Sequence, residues 1–313
     1  MVKKTLYFGN PAYLSLKNNQ LVIKLPGVEE NDTLPDSFKQ SSIITKPIED
    51  IGYVILDNKQ ITITHSVLTA LIENNVAIIQ CNDKHLPAGM MMNLNGHSLQ
   101  CARFKSQIEA SEPLKKQLWQ QTVEAKIENQ IAVLKSEDIE DKRLNWLLNN
   151  VKSGDSDNAE GQAAAIYWRN IFSNYISDFK RGREEQPPNN LLNYGYSLLR
   201  AAMARSLTGS GLLPVVGIFH HNQYNSLPLS DDIMEPYRPF IDKIVLEILK
   251  ENESVSELTT KIKIRFLSSL EQDVFINKER SPLMVAMTTT TASLQKCFDG
   301  NRRRILYPKL IQE

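Results

Sequence analysis

Residues 82–100, NDKHLPAGMMMNLNGHSLQ, separate two different kinds of chain. The stretch carries Pro87, Gly89, Gly96 and several asparagines, and its apolar residues follow no period. It reads as an interdomain connection, with the linker proper at 86–100. Its Met90–Met92 triplet is suited to packing beneath the second domain.

Upstream, residues 1–85 read as β-rich. Val2–Phe8, Tyr13–Leu16, Gln20–Leu25, Ile43–Pro47, Gly52–Leu56, Gln60–Thr64 and Val76–Cys81 are short runs rich in Val, Ile and Thr. Turn signals separate them, among them Gly9-Asn10-Pro11, Asn18-Asn19 and Asp57-Asn58. Only Ser66–Asn74 reads as a helix here, and His65 before it is assigned to local backbone. Downstream, from residue 101, the period becomes helical. Gln117–Lys135, Ile139–Asn150, Leu191–Leu207, Phe240–Glu251 and Glu279–Gly300 are the predicted helices, with a mixed region before 275. In the first of these, Leu118, Thr122, Ala125, Ile127, Ile131 and Leu134 form the apolar stripe, and Lys126 and Glu128 are assigned to a solvated face. The expected class is α+β: a small β-rich N-terminal domain, 1–85, followed by a larger all-helical domain, 101–313.

The 313 residues hold 36 Lys and Arg against 36 Asp and Glu, so no bulk charge favours nucleic acid, although local basic patches act over about 10 Å at 0.1 M salt. Cys81, Cys101 and Cys297 form no CxxC pair, which argues against a zinc ribbon or a disulfide scaffold. The N-terminus has no apolar run of signal-peptide length. The longest apolar stretch, Leu212–Phe219, is too short to span a bilayer. A cytoplasmic chain without membrane contact is expected.

The chemistry concentrates in residues 217–239, GIFHHNQYNSLPLSDDIMEPYRP. His220 and His221 are followed by Asp231, Asp232 and Glu235, an imidazole and carboxylate set that suits Mg²⁺ or Mn²⁺. Asp232 and Glu235 share a face if helical. A second stretch, SDNAEGQAAAIYWRNIF (156–172), places Glu160 in the first turn of a helix. There Glu160 is open between partner in a capping box with Asp157 and metal ligand. Gly161 behind it is unfavourable in a helix by about 1 kcal/mol.

Together these segments resemble one family. GIFHHNQYN and LSDDIMEPYRP, preceded by AEGQAAAIYW and LLNYGYSLLRAAMARSLTGSGLLPVVG, are similar to the CRISPR-associated endonuclease and integrase of spacer acquisition, Cas protein one. LWQQTVEAKIENQ and HNQYN resemble its type II branch. The resemblance covers nearly the whole chain. It implies a DNA enzyme dependent on Mg²⁺ or Mn²⁺ that inserts fragments into a CRISPR array by 3′-hydroxyl attack on a phosphodiester. It places metal ligands at Glu160, His220 and Glu235, with Asp232 orienting metal and water or assisting as general base. Asp231 matches no ligand position and is assigned to a cap or to the surface, while Arg238 is available to pair with a carboxylate. The resemblance further implies double-stranded DNA as substrate, a homodimer through the β domains, and a small ferredoxin-like partner, Cas protein two. The RNA-guided effector nuclease of the type II branch is a further candidate partner. Arg200, Arg205, Lys180, Arg181, Arg183 and the Arg302–Arg304 cluster are candidates for phosphate contact. The competing readings are a catalytically inactive DNA-binding scaffold subunit and a stand-alone nuclease for branched DNA. The presence of Glu160, His220 and Glu235 favours the enzyme.

Overall fold

The computed structural model describes residues 3–93, 97–182, 186–251 and 254–311, and the chain divides into two compact units between Gly96 and His97. The first unit runs β1 (Lys4–Phe8), β2 (Ala12–Lys17), β3 (Gln20–Lys24), α1 (Pro26–Glu29), α2 (Asp36–Ser41), β4 (Ile44–Pro47), β5 (Ile51–Leu56), β6 (Ile61–Ile63), α3 (His65–Glu73), β7 (Ala77–Cys81) and β8 (Pro87–Met91). It holds two four-stranded sheets, ordered β1-β5-β7-β8 and β4-β3-β2-β6. Strands β1, β5 and β7 run parallel. Parallel strands are covered on both faces, so their apolar runs need not alternate. Accordingly Ile51, Tyr53, Val54, Ile55, Ile78 and Ile79 are all buried. The β2–β3 hairpin turns on Asn18 and Asn19, both with positive φ (50° and 56°), the conformation that a two-residue turn with primed geometry requires.

Two expectations change here. The stretch read as a linker contains β8, which pairs antiparallel with β7, so Met90 and Met91 lie in a strand of the first unit. Strand pairing does not need strong β formers when an edge is available, and Pro87 and Gly89 hid it. The helix at 65–73 is also not alone, because α1 and α2 fill the connection from β3 to β4.

The second unit is built around α5 (Glu112–Lys135), which follows α4 (Gln100–Ile108) and is capped by the Ser111 hydroxyl. Next come α6 (Lys142–Asn149), α7 (Ala159–Asn170), α8 (Asn189–Gly209), α9 (Pro228–Met234), α10 (Arg238–Lys250) and α11 (Thr260–Ser268). A hairpin, β9 (Asp273–Ile276) with β10 (Glu279–Pro282), precedes α12 (Leu283–Phe298). Among the described residues, the regular elements of this unit are therefore helical except for that hairpin. The final helix starts at Leu283 and not at Glu279. Asn277 and Lys278 both take positive φ and turn the chain, and Pro282 sits at the helix boundary. Helix α5 packs against α6, α7, α9 and α10. Helix α8 packs closely on α10 because residue 195 is glycine, where a Cβ would lie 2.4 Å from Ile241 Cγ2. Among the described residues no helix is long and apolar enough to cross a membrane.

Candidate active site

Three segments converge on the buried face of α5. At the start of α7, two other residues cap the helix and release Glu160 from that task. Asp155 accepts hydrogen bonds from the backbone N–H groups of Ala159 (2.7 Å) and Glu160 (3.1 Å). Asn158, in the left-handed conformation (φ 54°), accepts from Gly161 N–H at 3.2 Å. Asp157 instead pairs with Lys152 at 2.7 Å, so the capping box is not formed. Gly161 is explained by crowding, since a Cβ there would fall 2.6 Å from Asn158 Oδ1.

The carboxylate of Glu160 meets α5 at Lys126, with Oε1 2.5 Å from Nζ. Glu235, where α9 tightens into a 3₁₀ turn, brings Oε2 to 2.6 Å from the same ammonium. This second contact is an ion pair without hydrogen-bond alignment, because Oε2 has no hydrogen-bond partner. The other oxygen of Glu235 pairs with Arg238 at 2.9 Å. Asn129, one turn along α5, donates to Pro236 O at 2.8 Å and holds the turn in place. Lys126 is therefore buried between two carboxylates, contrary to the solvated face expected for it. Burial works against its charge, but Glu235 and Glu160 raise its pKa above the ordinary lysine value. Burial would likewise raise the pKa of Glu235, yet Arg238 and Lys126 hold it below the usual carboxylate range.

The third segment is the loop from Leu212 to His220. Gln107 of α4 anchors it, accepting from Leu213 N–H and donating to the carbonyls of Leu213 and Val216, all within 2.9 Å. Asp232, fully buried on α9, gathers the end of the loop. Its Oδ2 accepts from the N–H groups of Ile218 (2.7 Å) and Phe219 (3.0 Å). Its Oδ1 accepts from His220 N–H (3.2 Å) and from His220 Nδ1 (2.5 Å). With Nδ1 donating, the neutral imidazole carries its lone pair on Nε2. The hydrogen bond to Asp232 outweighs burial and raises the pKa of His220, with Glu235 and Glu160 contributing through space. Trp119 of α5 stacks on Phe219 at 4.1 Å and meets the His220 ring edge-on at 5.6 Å. Both oxygens of Asp232 accept from this loop, and its Oδ1 sets the imidazole. Gly217 is required by the same loop, because a Cβ would lie 2.7 Å from His220 O and 3.0 Å from Asp232 Oδ2.

Glu160, Glu235 and His220 thus surround one stretch of α5, and their donor set suits a hard or borderline divalent cation. Among the described residues no three His, Cys, Asp or Glu side chains close to metal-binding distance. The ammonium of Lys126 stands between the two carboxylates. The residues fit such a cation in chemistry: two acidic side chains already converge on one positive charge, and the imidazole presents Nε2.

The basic residues separate into distinct groups. Arg200 is engaged within the protein, with Nε 2.7 Å from Asp231 Oδ1 and a further bond to Asn225 Oδ1 at 2.6 Å. Asp231 is thus a buttress for the 222–231 turn and not a cap or a free surface charge. Arg181 is likewise committed, donating to Asn189 and Asn193 and stacking over Tyr196. Lys180 is exposed, Arg205 is half-buried on α8, and Arg183 lies outside the described residues. Arg302 donates to Arg304 O, folding that cluster on itself. Lys126, Asp155 and Trp119 are the site residues that sequence reasoning missed. Trp119, Thr122, Lys126, Asn129 and Val133 follow one another at spacings of three and four, so polar residues on a buried stripe were the available signal.

Comparison with known proteins agrees with this architecture. The family model described as "CRISPR associated protein Cas1" matches residues 6–267. The chain is 34% identical over 314 residues to the CRISPR-associated endonuclease Cas1 of Neisseria meningitidis, covering 99% of this chain and 97% of that one. A casposase bound to integration product has a similar fold, with TM-score 0.76 at 22% identity, covering 97% of this chain and 92% of the casposase. A Cas1 protein from Thermotoga maritima gives TM-score 0.74 at 16% identity, covering 99% of this chain and all of its own.

Proposed function

Since the chain belongs to the Cas1 family of CRISPR-associated proteins, we propose that it is a metal-dependent DNA endonuclease and integrase that inserts DNA fragments as new spacers into a CRISPR array. One observation carries the reading. The carboxylates of Glu160 and Glu235 converge on a single cationic position, and the neighbouring His220 is held with its Nε2 free.

Glu160, Glu235 and His220 Nε2 would hold Mg²⁺ or Mn²⁺. When bound, the cation supplies stabilisation of charge on the scissile phosphate and activation of the attacking oxygen. Asp232 fixes the imidazole tautomer, Arg238 fixes one oxygen of Glu235, and Asn129 fixes the turn that carries it. The 3′-hydroxyl of an incoming fragment gives up its proton to solvent as its oxygen attacks the phosphorus at the repeat boundary. The bond from phosphorus to the 3′ oxygen of the target strand breaks, and that oxygen takes a proton to become a new 3′-hydroxyl. With water as nucleophile, the same site hydrolyses DNA. The partners proposed are double-stranded DNA, a second copy of this chain, the small ferredoxin-like Cas protein two and, for a type II system, the RNA-guided effector.

The test is joining of a labelled DNA fragment to a repeat-boundary duplex, with Mg²⁺ or Mn²⁺ and with EDTA. A joined product that needs both the metal and a fragment 3′-hydroxyl is expected. Equal joining of a 3′-dideoxy fragment, or joining in EDTA, would contradict the proposal.

A further inference from the structure

Lys126 occupies the position where two proposed metal ligands meet, and a receiving place for its ammonium lies next to it. A cavity of about 60 Å³ borders Lys126 and is lined by Gln130, Trp168, Arg181, Tyr196, Arg238 and Asp242. That is room for about two waters. Gln130 is 2% exposed, and its Oε1 has no hydrogen-bond partner, an unsatisfied acceptor that normally costs free energy. Asp242 is fully buried, accepts only the hydroxyls of Tyr167 (3.0 Å) and Tyr196 (2.5 Å), and is pushed up to about 7 by burial. On one side of Lys126 stand Glu160 and Glu235, and on the other the orphaned oxygen of Gln130 and the carboxyl of Asp242, with the guanidinium groups of Arg181 and Arg238 on the same cavity wall.

Charge explains why this matters. Without metal, Glu160 and Glu235 are balanced by Lys126 and Arg238. A divalent cation added to that balanced, buried group brings uncompensated positive charge. A DNA phosphate at the site supplies the missing negative charge.

We infer that Lys126 is a two-position counter-cation: it bridges Glu160 and Glu235 before loading, and swings into the cavity beside Gln130 and Asp242 when a divalent cation and DNA arrive together. This rests on the proposed metal-dependent function and adds coupling between metal and DNA that the ligand set alone does not require. Coupling is reciprocal, so each should tighten the other by the same factor.

The test is Mn²⁺ binding followed by the electron paramagnetic resonance signal of free Mn²⁺, with and without a short duplex. In the wild type, DNA tightens Mn²⁺ binding. Lys126→Met tightens Mn²⁺ binding to the DNA-free protein by about tenfold and flattens the effect of DNA, because the competing charge is gone. Gln130→Leu leaves the bridge intact and removes the receiving acceptor, so it weakens Mn²⁺ binding even if Lys126→Met does not fold. Lys126→Met that folds and binds Mn²⁺ as weakly as the wild type, or more weakly, would overturn the inference, as would an unchanged Gln130→Leu. In those cases Mn²⁺ still binds and the functional reading survives. Absence of Mn²⁺ binding in every variant, with or without DNA, would remove both.

Discussion

His220 Nδ1 lies 2.5 Å from Asp232 Oδ1, and the same carboxylate accepts three backbone N–H groups from the loop that carries the histidine. One buried side chain therefore sets both the position of the imidazole and the path of the chain beneath it. A neutral amide in its place can accept with only one oxygen, and its NH₂ faces donors.

Asp232→Asn is expected to lower the pKa of His220 toward its ordinary value in metal-free protein, and to reduce DNA cleavage by about 10- to 100-fold, the range for lost partners of metal-binding histidines. The raised pKa means the ion pair stabilises the fold at acid pH and is lost as pH rises through the raised value. The stability gap between wild type and variant therefore narrows with rising pH. A histidine ¹³C titration followed by NMR checks the first point; an unchanged His220 pKa would show that Asp232 does not set it.

Gly217→Ala forces a methyl group to 2.7 Å from His220 O. The fold should survive, because the clash is confined to a loop anchored elsewhere by Gln107. Activity should fall by at least about tenfold, with the loss in catalytic rate more than in DNA binding, since misplacement by about 1 Å is enough for losses of this size. Steady-state kinetics beside a thermal melt distinguish this from general unfolding.

Asp242 holds its proton to about pH 7, whereas an unfolded aspartate releases it near 3.9. Between these values the folded state binds more protons, so this group makes stability fall as pH rises. Asp242→Asn removes that dependence. Relative to wild type, the variant should gain stability from about pH 5 to about pH 7, by at most about 1.4 kcal/mol per pH unit. Urea denaturation across that range measures it, and a pH-independent gap would count against a protonated Asp242.

Arg200 and Lys180 should behave differently on DNA. Lys180 is exposed, whereas Arg200 is held by Asp231 and Asn225. Lys180→Ala is expected to reduce the log–log salt slope of DNA binding by about one unit, while Arg200→Ala leaves the slope unchanged and instead loosens the 222–231 turn. Binding titrations at several salt concentrations report both.

The legible parts of this chain were those with strong local signals. Short runs rich in Val, Ile and Thr marked β1 to β7, and Asn18-Asn19 marked a turn that needs positive φ. The Gly-Ile-Phe-His and Glu-Pro segments pointed to residues that the fold brings to one face of α5. Strand β8 was hidden because its pairing with β7 supplies what its Pro and Gly residues lack. Lys126 was misread because a charged residue inside an amphipathic helix is normally solvated, and only tertiary structure brings Glu160 and Glu235, 34 and 109 residues away, to its ammonium. Arg200 and Arg181 looked available for phosphate because their partners, Asp231 and the asparagines at 189 and 193, carry no signal of pairing in the sequence.

The central claim is that Glu160, His220 and Glu235 form a metal-dependent DNA site. Its most direct test is cleavage and strand transfer on a labelled branched DNA, with Mn²⁺, Mg²⁺ or EDTA, comparing wild type with His220→Ala. Wild type should react only with metal. His220→Ala should remain folded and bind the DNA, yet leave it unreacted. A His220→Ala variant as active as wild type, or a wild type equally active in EDTA, would contradict the assignment.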